Sequence, residues 1–291
     1  MNPTVFLGLV THRRSRFAHS ASSEGMLSRL GRSLADRGVE AHVAIHDEDR
    51  YDPSLVDLTQ ESVRRSIHAE LTLEQRWRSY VDPSVNVVAL AAQMAARRAY
   101  RIARLAPPWH RSAAATEPGS AMLRRLVNIE LAHLHLLREA RARGVSWALI
   151  AEDDAYLEDV DAFSAAMVSF MQARDQDSQP AYVNVSRSFG HEAIGLTGRL
   201  ATVGSWSPGI DEKASDRPLT NTVCAVLYRG TFLRTLVPAM DAIPTSPVLP
   251  IDWKLNATLL ALHDAGSLGP GDCWFLDPAP IVQGSMHGSA D

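Results

Sequence analysis

Apolar residues along the chain recur in two patterns, short uninterrupted runs and longer stretches with helical spacing. A run of about 4 to 8 apolar residues bounded by turn residues predicts a buried strand, whereas apolar residues three and four positions apart predict a helix. The runs predict strands at residues 5–10, 39–45, 147–151, 181–186, 222–228 and 273–276. The helical spacing predicts helices at residues 22–37, 122–143, 156–174, 230–240 and 252–263.

The order of these elements predicts an α/β fold. A strand, a helix and a second strand follow one another within residues 5–45, which is the order of a βαβ unit with two parallel strands. We therefore expect a single Rossmann-type α/β domain with a mostly parallel central sheet and helices on both faces. A chain of 291 residues is long enough to bury a substantial core.

Two segments interrupt the alternation of strands and helices. Residues 54–119 are rich in Ala, Arg, Leu and Glu and predict a helical insertion, with a Pro-rich loop at its end over residues 107–119. Residues 190–218 are rich in Gly, Ser and Pro and show little periodicity. We expect residues 190–218 to form a mobile surface loop, with one short strand near residues 200–203 and a role in closing a binding site. Residues 278–291 are expected to form an extended tail.

Three consecutive acids, Glu152, Asp153 and Asp154, stand where the strand predicted at residues 147–151 ends. Like charges so close together repel unless a cation neutralises them, and carboxylate oxygens suit magnesium, manganese or calcium better than zinc. Ligands of open α/β sheets also collect at the carboxyl ends of strands. The same acids would equally serve as an N-terminal cap for the helix predicted at residues 156–174. A cation site and a solvated cap therefore both remain open.

Composition narrows the class of protein. A formal net charge of −4 and a pI near 6.3 do not favour nucleic acid as a partner. The two cysteines, Cys224 and Cys273, are too few for a zinc motif or a disulfide framework, so we expect a reduced, cytoplasmic protein, with a single bridge between them as the alternative. No apolar run approaches the roughly 18 residues of a membrane span, and the N-terminus lacks the pattern of a signal peptide, so any membrane contact would be peripheral. The sequence does not indicate an oligomeric state.

Five segments follow one another along the chain: HLHLL from His133, WALIAEDDAYL from Trp147, TNTVCAVLYRGTFLRTL from Thr220, PIDW from Pro250 and PAPIVQGSMHGS from Pro278. Taken in this order they resemble the lipooligosaccharide-type glycosyltransferases, which carry an EDD sequence in place of the usual DxD motif of the GT-A fold. The resemblance implies a GT-A-like fold and transfer of a sugar from a nucleoside-diphosphate sugar, UDP-hexose in the first instance. The acceptor would be a hydroxyl of a glycan or small molecule, and the anomeric carbon would invert.

The resemblance also implies how the acidic motif would act. Asp154 would bind a divalent cation, Mn²⁺ or Mg²⁺, and Glu152 and Asp153 would contact the ribose of the nucleotide or act through water. His287, in the closing segment, would supply a second metal ligand, although a His in a polar tail is also commonly exposed. A metal that bridges the two phosphates stabilises the charge that develops on the leaving nucleoside diphosphate.

Residues outside the acidic motif are assigned in the same way. Thr11, Arg13 and Arg16, in the turn after the first predicted strand, would bind the nucleotide, although either Arg would also suit a solvated surface. Asp252 stands where such enzymes often place a catalytic base, which would take the proton from the acceptor hydroxyl. An N-cap role for Asp252 in the following helix is the alternative. Trp253 would be a platform for a sugar ring or part of the core.

Other functions fit parts of the same pattern. A nucleotidyltransferase of similar architecture usually has a Gly-rich phosphate loop after its first strand, and residues 9–17, LVTHRRSRF, contain no Gly. A non-catalytic module would bind nucleotide or glycan without turnover. A purely structural role for the acids would predict no metal-dependent ligand binding at all.

Overall fold

The structure is a computed structural model that describes residues 3–11, 23–46, 59–82, 84–105, 117–175, 177–187, 196, 198–220, 222–246 and 248–284. The strands are β1 (Thr4–Val10), β2 (Glu40–His46), β3 (Trp147–Glu152), β4 (Ala155–Leu157), β5 (Tyr182–Asn184), β6 (Ser186–Arg187), β7 (Leu200–Ser207), β8 (Ile210–Ser215), β9 (Ala225–Arg229), β10 (Cys273–Asp277) and β11 (Ile281–Gln283). The helices are α1 (Ser23–Asp36), α2 (Gln60–Val81), α3 (Val87–Leu105), α4 (Glu117–Arg143), α5 (Val160–Ala173), α6 (Gly230–Ala242) and α7 (Ile251–Asp264).

The main sheet is mixed and has the strand order β2-β1-β3-β9-β5-β10-β8-β7 over the described residues. The predicted βαβ unit is confirmed, because β1 and β2 pair in parallel on either side of α1 in sequence. β1 also pairs in parallel with β3, and β5 with β10. The other four pairs are antiparallel, since β9 inserts between β3 and β5 and the hairpin of β7 and β8 joins β10. The mixed α/β fold is consistent with a Rossmann-like architecture, with fewer parallel pairs than expected.

Helices cover both faces of the main sheet, as the sequence predicts. Along β3, Trp147 and Leu149 face the cluster that includes α1 and α5, whereas Ala148 and Ile150 face the cluster that includes α4, α6 and α7. Because the side chains of a strand alternate between the two faces, both sets are buried and the strand has a continuous apolar sequence. This double burial explains why β3 is easily predicted.

The segment predicted to be helical, residues 54–119, contains α2 and α3, which pack against each other around a small separate core. Buried side chains of this core come from α2, α3, the start of α4 and the segment before α7; they are Val63, Ile67, Leu71, Leu90, Met94, Leu105, Leu123 and Val248. Ion pairs from Arg97 to Glu74 and from Arg101 to Glu70 also cross between α2 and α3. The predicted loop at residues 107–119 is wrong at its end, because α4 already begins at Glu117, and residues 106–116 lie outside the described ranges.

The mobile loop predicted at residues 190–218 is wrong over most of its length. Residues 200–215 form the β7–β8 hairpin, which turns at Gly209 with a φ of 81° and pairs through β8 with β10. Trp206 anchors the hairpin, because its ring lies 5.0 Å from the ring of Phe170 on α5. Of the remaining residues in this prediction, 190–195 and 197 lie outside the described part of the chain.

Two further boundaries differ from the prediction. The helix predicted at residues 156–174 begins only at Val160, and Tyr156 belongs to β4. The predicted extended tail contains β11, which pairs with β4 and β6 in a second, three-stranded sheet. This small sheet brings the end of the described chain to the acidic motif.

None of the helices in the described ranges combines the length and the apolar composition needed to cross a membrane.

Candidate functional site

The acidic motif forms a turn at the carboxyl edge of the main sheet. Glu152 is the last residue of β3, Asp153 and Asp154 make the turn, and β4 begins at Ala155. β1 runs parallel to β3 with Val10 opposite Glu152, so the ends of both strands meet at this edge. The edge is the place where open α/β sheets bind ligands.

Asp153 and Asp154 are held by neighbours from different strands. The hydroxyl of Thr11, directly after β1, donates to Asp153 Oδ2 at 3.0 Å. The thiol of Cys224, directly before β9, donates to Asp154 Oδ1 at 3.8 Å. Burial raises the pKa of Cys224, and the charges of Asp154 and Glu152 raise it further, so the thiol stays protonated and keeps its role as a donor.

The acids do not cap the next helix, and that alternative is wrong. Asp159 is the N-cap of α5, and its Oδ1 accepts from the backbone N–H of Ala162 at 2.8 Å. Because another carboxylate already fills the capping position, the turn at Glu152–Asp154 needs a different explanation.

Glu152 ends β3 at the face of the sheet that α4 and α7 cover, and its charge acts on Asp252 of α7. The Nε2 of His133, on α4, lies 3.3 Å from Glu152 Oε1. Burial raises the pKa of Asp252, on α7, and the charge of Glu152 raises it further. The hydrogen bond from the Trp253 N–H and the nearby His133 both lower this pKa. The sequence leaves open whether Asp252 lies near the acidic motif, and in the folded chain the charge of Glu152 acts on the Asp252 carboxyl.

Asp252 does not act as the N-cap of α7, which was the alternative. Pro250 occupies that position and offers no side-chain cap. Asp252 lies in the first turn, where its Oδ1 accepts from the N–H of Trp253 at 3.0 Å. Trp253 itself packs edge-to-face on Trp77 of α2, with ring centroids 5.2 Å apart, which favours packing over a sugar platform.

The chain returns to the acidic turn near its end. β11 pairs with β4, and the backbone N–H of Gly284 donates to the carbonyl of Asp154 at 2.8 Å. Three predicted site residues, Arg13, Arg16 and His287, lie outside the described residues. The structure thus joins Thr11 to the acidic turn by a hydrogen bond, and it connects Asp252 to the turn through the effect of the Glu152 charge on the pKa of Asp252.

Sequence reasoning missed His133 and Cys224 as neighbours of the acids. His133 has a relative exposure of 2%, and Cys224 is completely buried. A buried His in the apolar face of a helix is a signal for a polar partner, because the imidazole has to satisfy its ring nitrogens. The sequence does not show that this partner is Glu152.

The donor set of the turn fits a divalent cation in part. Carboxylate oxygens suit Mg²⁺ and Mn²⁺. Among the described residues, no group of three or more His, Cys, Asp or Glu side chains is arranged to hold a metal ion. Mg²⁺ is commonly held by one or two carboxylates together with the phosphates of a substrate, and that arrangement needs fewer ligands from the protein.

Comparison with protein-family models and with curated proteins finds no match to this chain. Any functional assignment therefore depends on the geometry of the acidic turn and on the sequence motifs around it.

Proposed function

We propose that the protein is a metal-dependent glycosyltransferase with a GT-A-like fold, similar to the lipooligosaccharide-type enzymes. It would move a sugar from a nucleoside-diphosphate sugar, UDP-hexose first, to a hydroxyl of a glycan or small molecule, with inversion. One observation carries the proposal: the charge of Glu152, in the acidic turn at the end of β3, raises the pKa of Asp252, a carboxyl group on α7. A metal-dependent donor site needs the acidic turn, and an inverting transfer needs a carboxylate base such as Asp252.

The acidic turn would bind the diphosphate of the donor. Asp154 would be the protein ligand of Mn²⁺ or Mg²⁺, which supplies positive charge to the leaving diphosphate. Thr11 orients Asp153 by the hydrogen bond between them, and Asp153 and Glu152 would contact the ribose directly or through water.

Asp252 would act as the general base. The acceptor oxygen forms a bond to the anomeric carbon, the bond from that carbon to the diphosphate oxygen breaks, and the acceptor proton passes to the Asp252 carboxylate. A carboxylate whose pKa is raised by burial holds a proton more strongly, so it is a better base than an exposed Asp. Inversion requires this base on the face opposite the leaving group.

The roles of His287, Arg13 and Arg16 stay predictions. His287 follows Gly284 by three residues, a length of chain that spans at most about 11 Å, and Gly284 contacts Asp154. Thr11 directly precedes the segment that contains both Arg residues. These connections support the assignment of the tail and the first turn to the donor site.

Thermal unfolding with nucleotides tests the proposal. UDP, GDP and CDP are each added with and without Mn²⁺ to wild-type protein, Asp154→Asn and the control Asp36→Asn, whose exposed carboxyl lies at the end of α1. A ligand at about 100 times its Kd stabilises the folded state by roughly 2.7 kcal/mol. We expect one nucleotide to raise the transition only with Mn²⁺, in wild type and Asp36→Asn but not in Asp154→Asn. If no nucleotide shifts the transition with or without Mn²⁺, the transferase proposal is wrong.

A further inference from the structure

A buried ion pair joins the two helices that carry His133 and Asp252. Glu130 on α4 and Lys254 on α7 have side-chain exposures of 0% and 1%, and Lys254 Nζ lies 2.5 Å from Glu130 Oε1. Neither group reaches solvent, so neither is in a position to touch a substrate. Any effect of the pair on chemistry has to pass through other residues.

Each member of the pair is close in sequence to a residue of the candidate site. Glu130 precedes His133 by three positions, so both lie on the same side of α4. His133 contacts Glu152 at the end of β3. Lys254 follows Asp252 by two positions in the first turn of α7. Helix α4 therefore holds the end of β3 through His133 and the start of α7 through Glu130.

The start of α7 is fixed on its apolar side by buried Ile251 and Leu255 and by the packing of Trp253 on Trp77, whereas its side-chain polar contacts in the described residues are few. Its N-cap, Pro250, makes no side-chain hydrogen bond, and the Asp252 carboxylate is occupied with the N–H of Trp253. The next polar contact is one turn further on, where the Asn256 amide pairs with the backbone of Thr220. A helix is rigid over a single turn, so a rotation that displaced Lys254 would turn Asp252 by the same angle.

Stability alone does not explain why this pair is ionic. Burial raises the pKa of Glu130, and the charge of Lys254 opposes that rise, which shows that the site is unfavourable for an isolated carboxylate. Replacing a buried ion pair by apolar side chains of similar volume is often neutral or stabilising. Unlike an apolar contact, a short charged hydrogen bond has a preferred direction.

We propose that Glu130 and Lys254 are positioning residues, which hold the first turn of α7 so that Asp252 faces Glu152. This inference rests on the proposed function of Asp252 as the base. Displacement of a catalytic group by about 1 Å lowers a rate by as much as 10²-fold, so a small rotation of α7 would be visible in turnover.

The test compares three pairs of substitutions in the full chain. The apolar pair Glu130→Met with Lys254→Met removes the charges and keeps unbranched side chains. The swapped pair Glu130→Lys with Lys254→Glu restores a charged contact, with the positive charge now on α4 and the negative charge on α7. The control pair Arg138→Met with Asp241→Leu removes an exposed ion pair between α4 and α6. Thermal unfolding with UDP and Mn²⁺ checks that each variant is folded and binds nucleotide.

We expect the apolar pair to have the melting temperature of wild type. Its KM for the donor should stay within twofold of wild type, while its kcat falls at least tenfold. The swapped pair should recover kcat to within about fivefold of wild type, and the control pair should match wild type. A wild-type kcat in the apolar pair would overturn the proposal. A swapped pair whose kcat is no higher than that of the apolar pair would also overturn the proposal, because the charged contact would then not be the cause of the lower kcat.

Hydrogen exchange supplies a readout that does not need turnover. Amides of residues 252–256 should exchange at least fivefold faster in the apolar pair than in wild type, with α1 unchanged as an internal reference. If the wild type transfers no sugar, the proposed function is wrong, and hydrogen exchange alone then tests whether the ion pair positions α7. Faster exchange would then still support positioning of α7 by the pair, whereas unchanged exchange would refute it.

Discussion

Asp252 shows how one residue acquires its chemistry from its surroundings. The sequence offered two roles for it, a base or a helix cap, and both rest on the carboxylate. The structure assigns the cap position to Pro250 and leaves Asp252 partly buried near Glu152. Burial and the like charge both oppose ionisation, so the folded protein holds the proton of Asp252 more tightly than the unfolded chain does.

Asp252→Asn should therefore raise stability at neutral pH while it removes turnover. A carboxyl whose pKa is higher in the folded state contributes stability that is complete below its ordinary pKa of 3.8 and is lost as the pH rises through the raised value. Asn never ionises and avoids this loss. We expect a higher melting temperature than wild type at pH 7 and a smaller difference near pH 4, together with a rate lowered by about 10²- to 10⁴-fold.

Unfolding scans from pH 4 to pH 8 and an assay of nucleoside diphosphate release check this prediction. Asp36→Asn, which changes an exposed carboxyl, serves as the control. A variant that is less stable than wild type at pH 7 would show that burial does not penalise the ionised carboxylate. A variant that keeps wild-type turnover would exclude Asp252 as the base.

At the scale of elements, the junction of β9 and α6 depends on a single glycine. β9 ends at Arg229, which is 7% exposed and donates hydrogen bonds to the carbonyls of Pro180 and Gln179. α6 starts at the next residue, Gly230, whose N–H donates to the Ser146 carbonyl at 2.8 Å. A Cβ at Gly230 would lie 1.7 Å from the carbonyl oxygen of Val145, which is backbone and has little room to move.

Gly230→Ala should consequently destabilise the protein by about 3 kcal/mol or more, the upper range of the effect of overpacking. Gly25→Ala is the matched control, because a Cβ at Gly25 in α1 meets no atom within 4 Å. In that helix Ala should stabilise by about 0.5–1 kcal/mol. Urea unfolding measures both values. Equal stability of Gly230→Ala and wild type would contradict the packing of α6 against the start of β3.

Across the full fold, some strands and helices are predictable from the sequence and others are not. β1 and α1 are predictable because their apolar positions are local and buried, and β2 is predictable from its apolar run although Val43 and Ile45 are exposed. Of the β7–β8 hairpin only the short strand near residues 200–203 is predicted, because half of the residues of β7 are exposed and only Trp206 is buried in it, so no alternation is visible. The direction of β9 is set by pairing with strands distant in sequence, which no local pattern contains.

The acids of the candidate site are predictable from the sequence, but their contacts are not. The three acids are visible as a motif, and Asp252 follows from the resemblance to a family. The contacts that organise them join residues 19 positions apart, for His133 and Glu152, and 70 positions apart, for Cys224 and Asp154. Such contacts depend on the order of strands in the sheet, which is established only by the fold.

We propose that the acidic turn binds a divalent cation together with a nucleoside diphosphate. A titration of Mn²⁺ tests this binding through the electron paramagnetic resonance signal of the free ion, with and without UDP, in wild type, Asp154→Asn and Asp36→Asn. We predict that UDP makes wild type and Asp36→Asn bind about one Mn²⁺ per chain, and that Asp154→Asn loses at least tenfold in affinity, or about 1.4 kcal/mol. If Asp154→Asn binds Mn²⁺ and UDP as wild type does, the acidic turn is not the donor site.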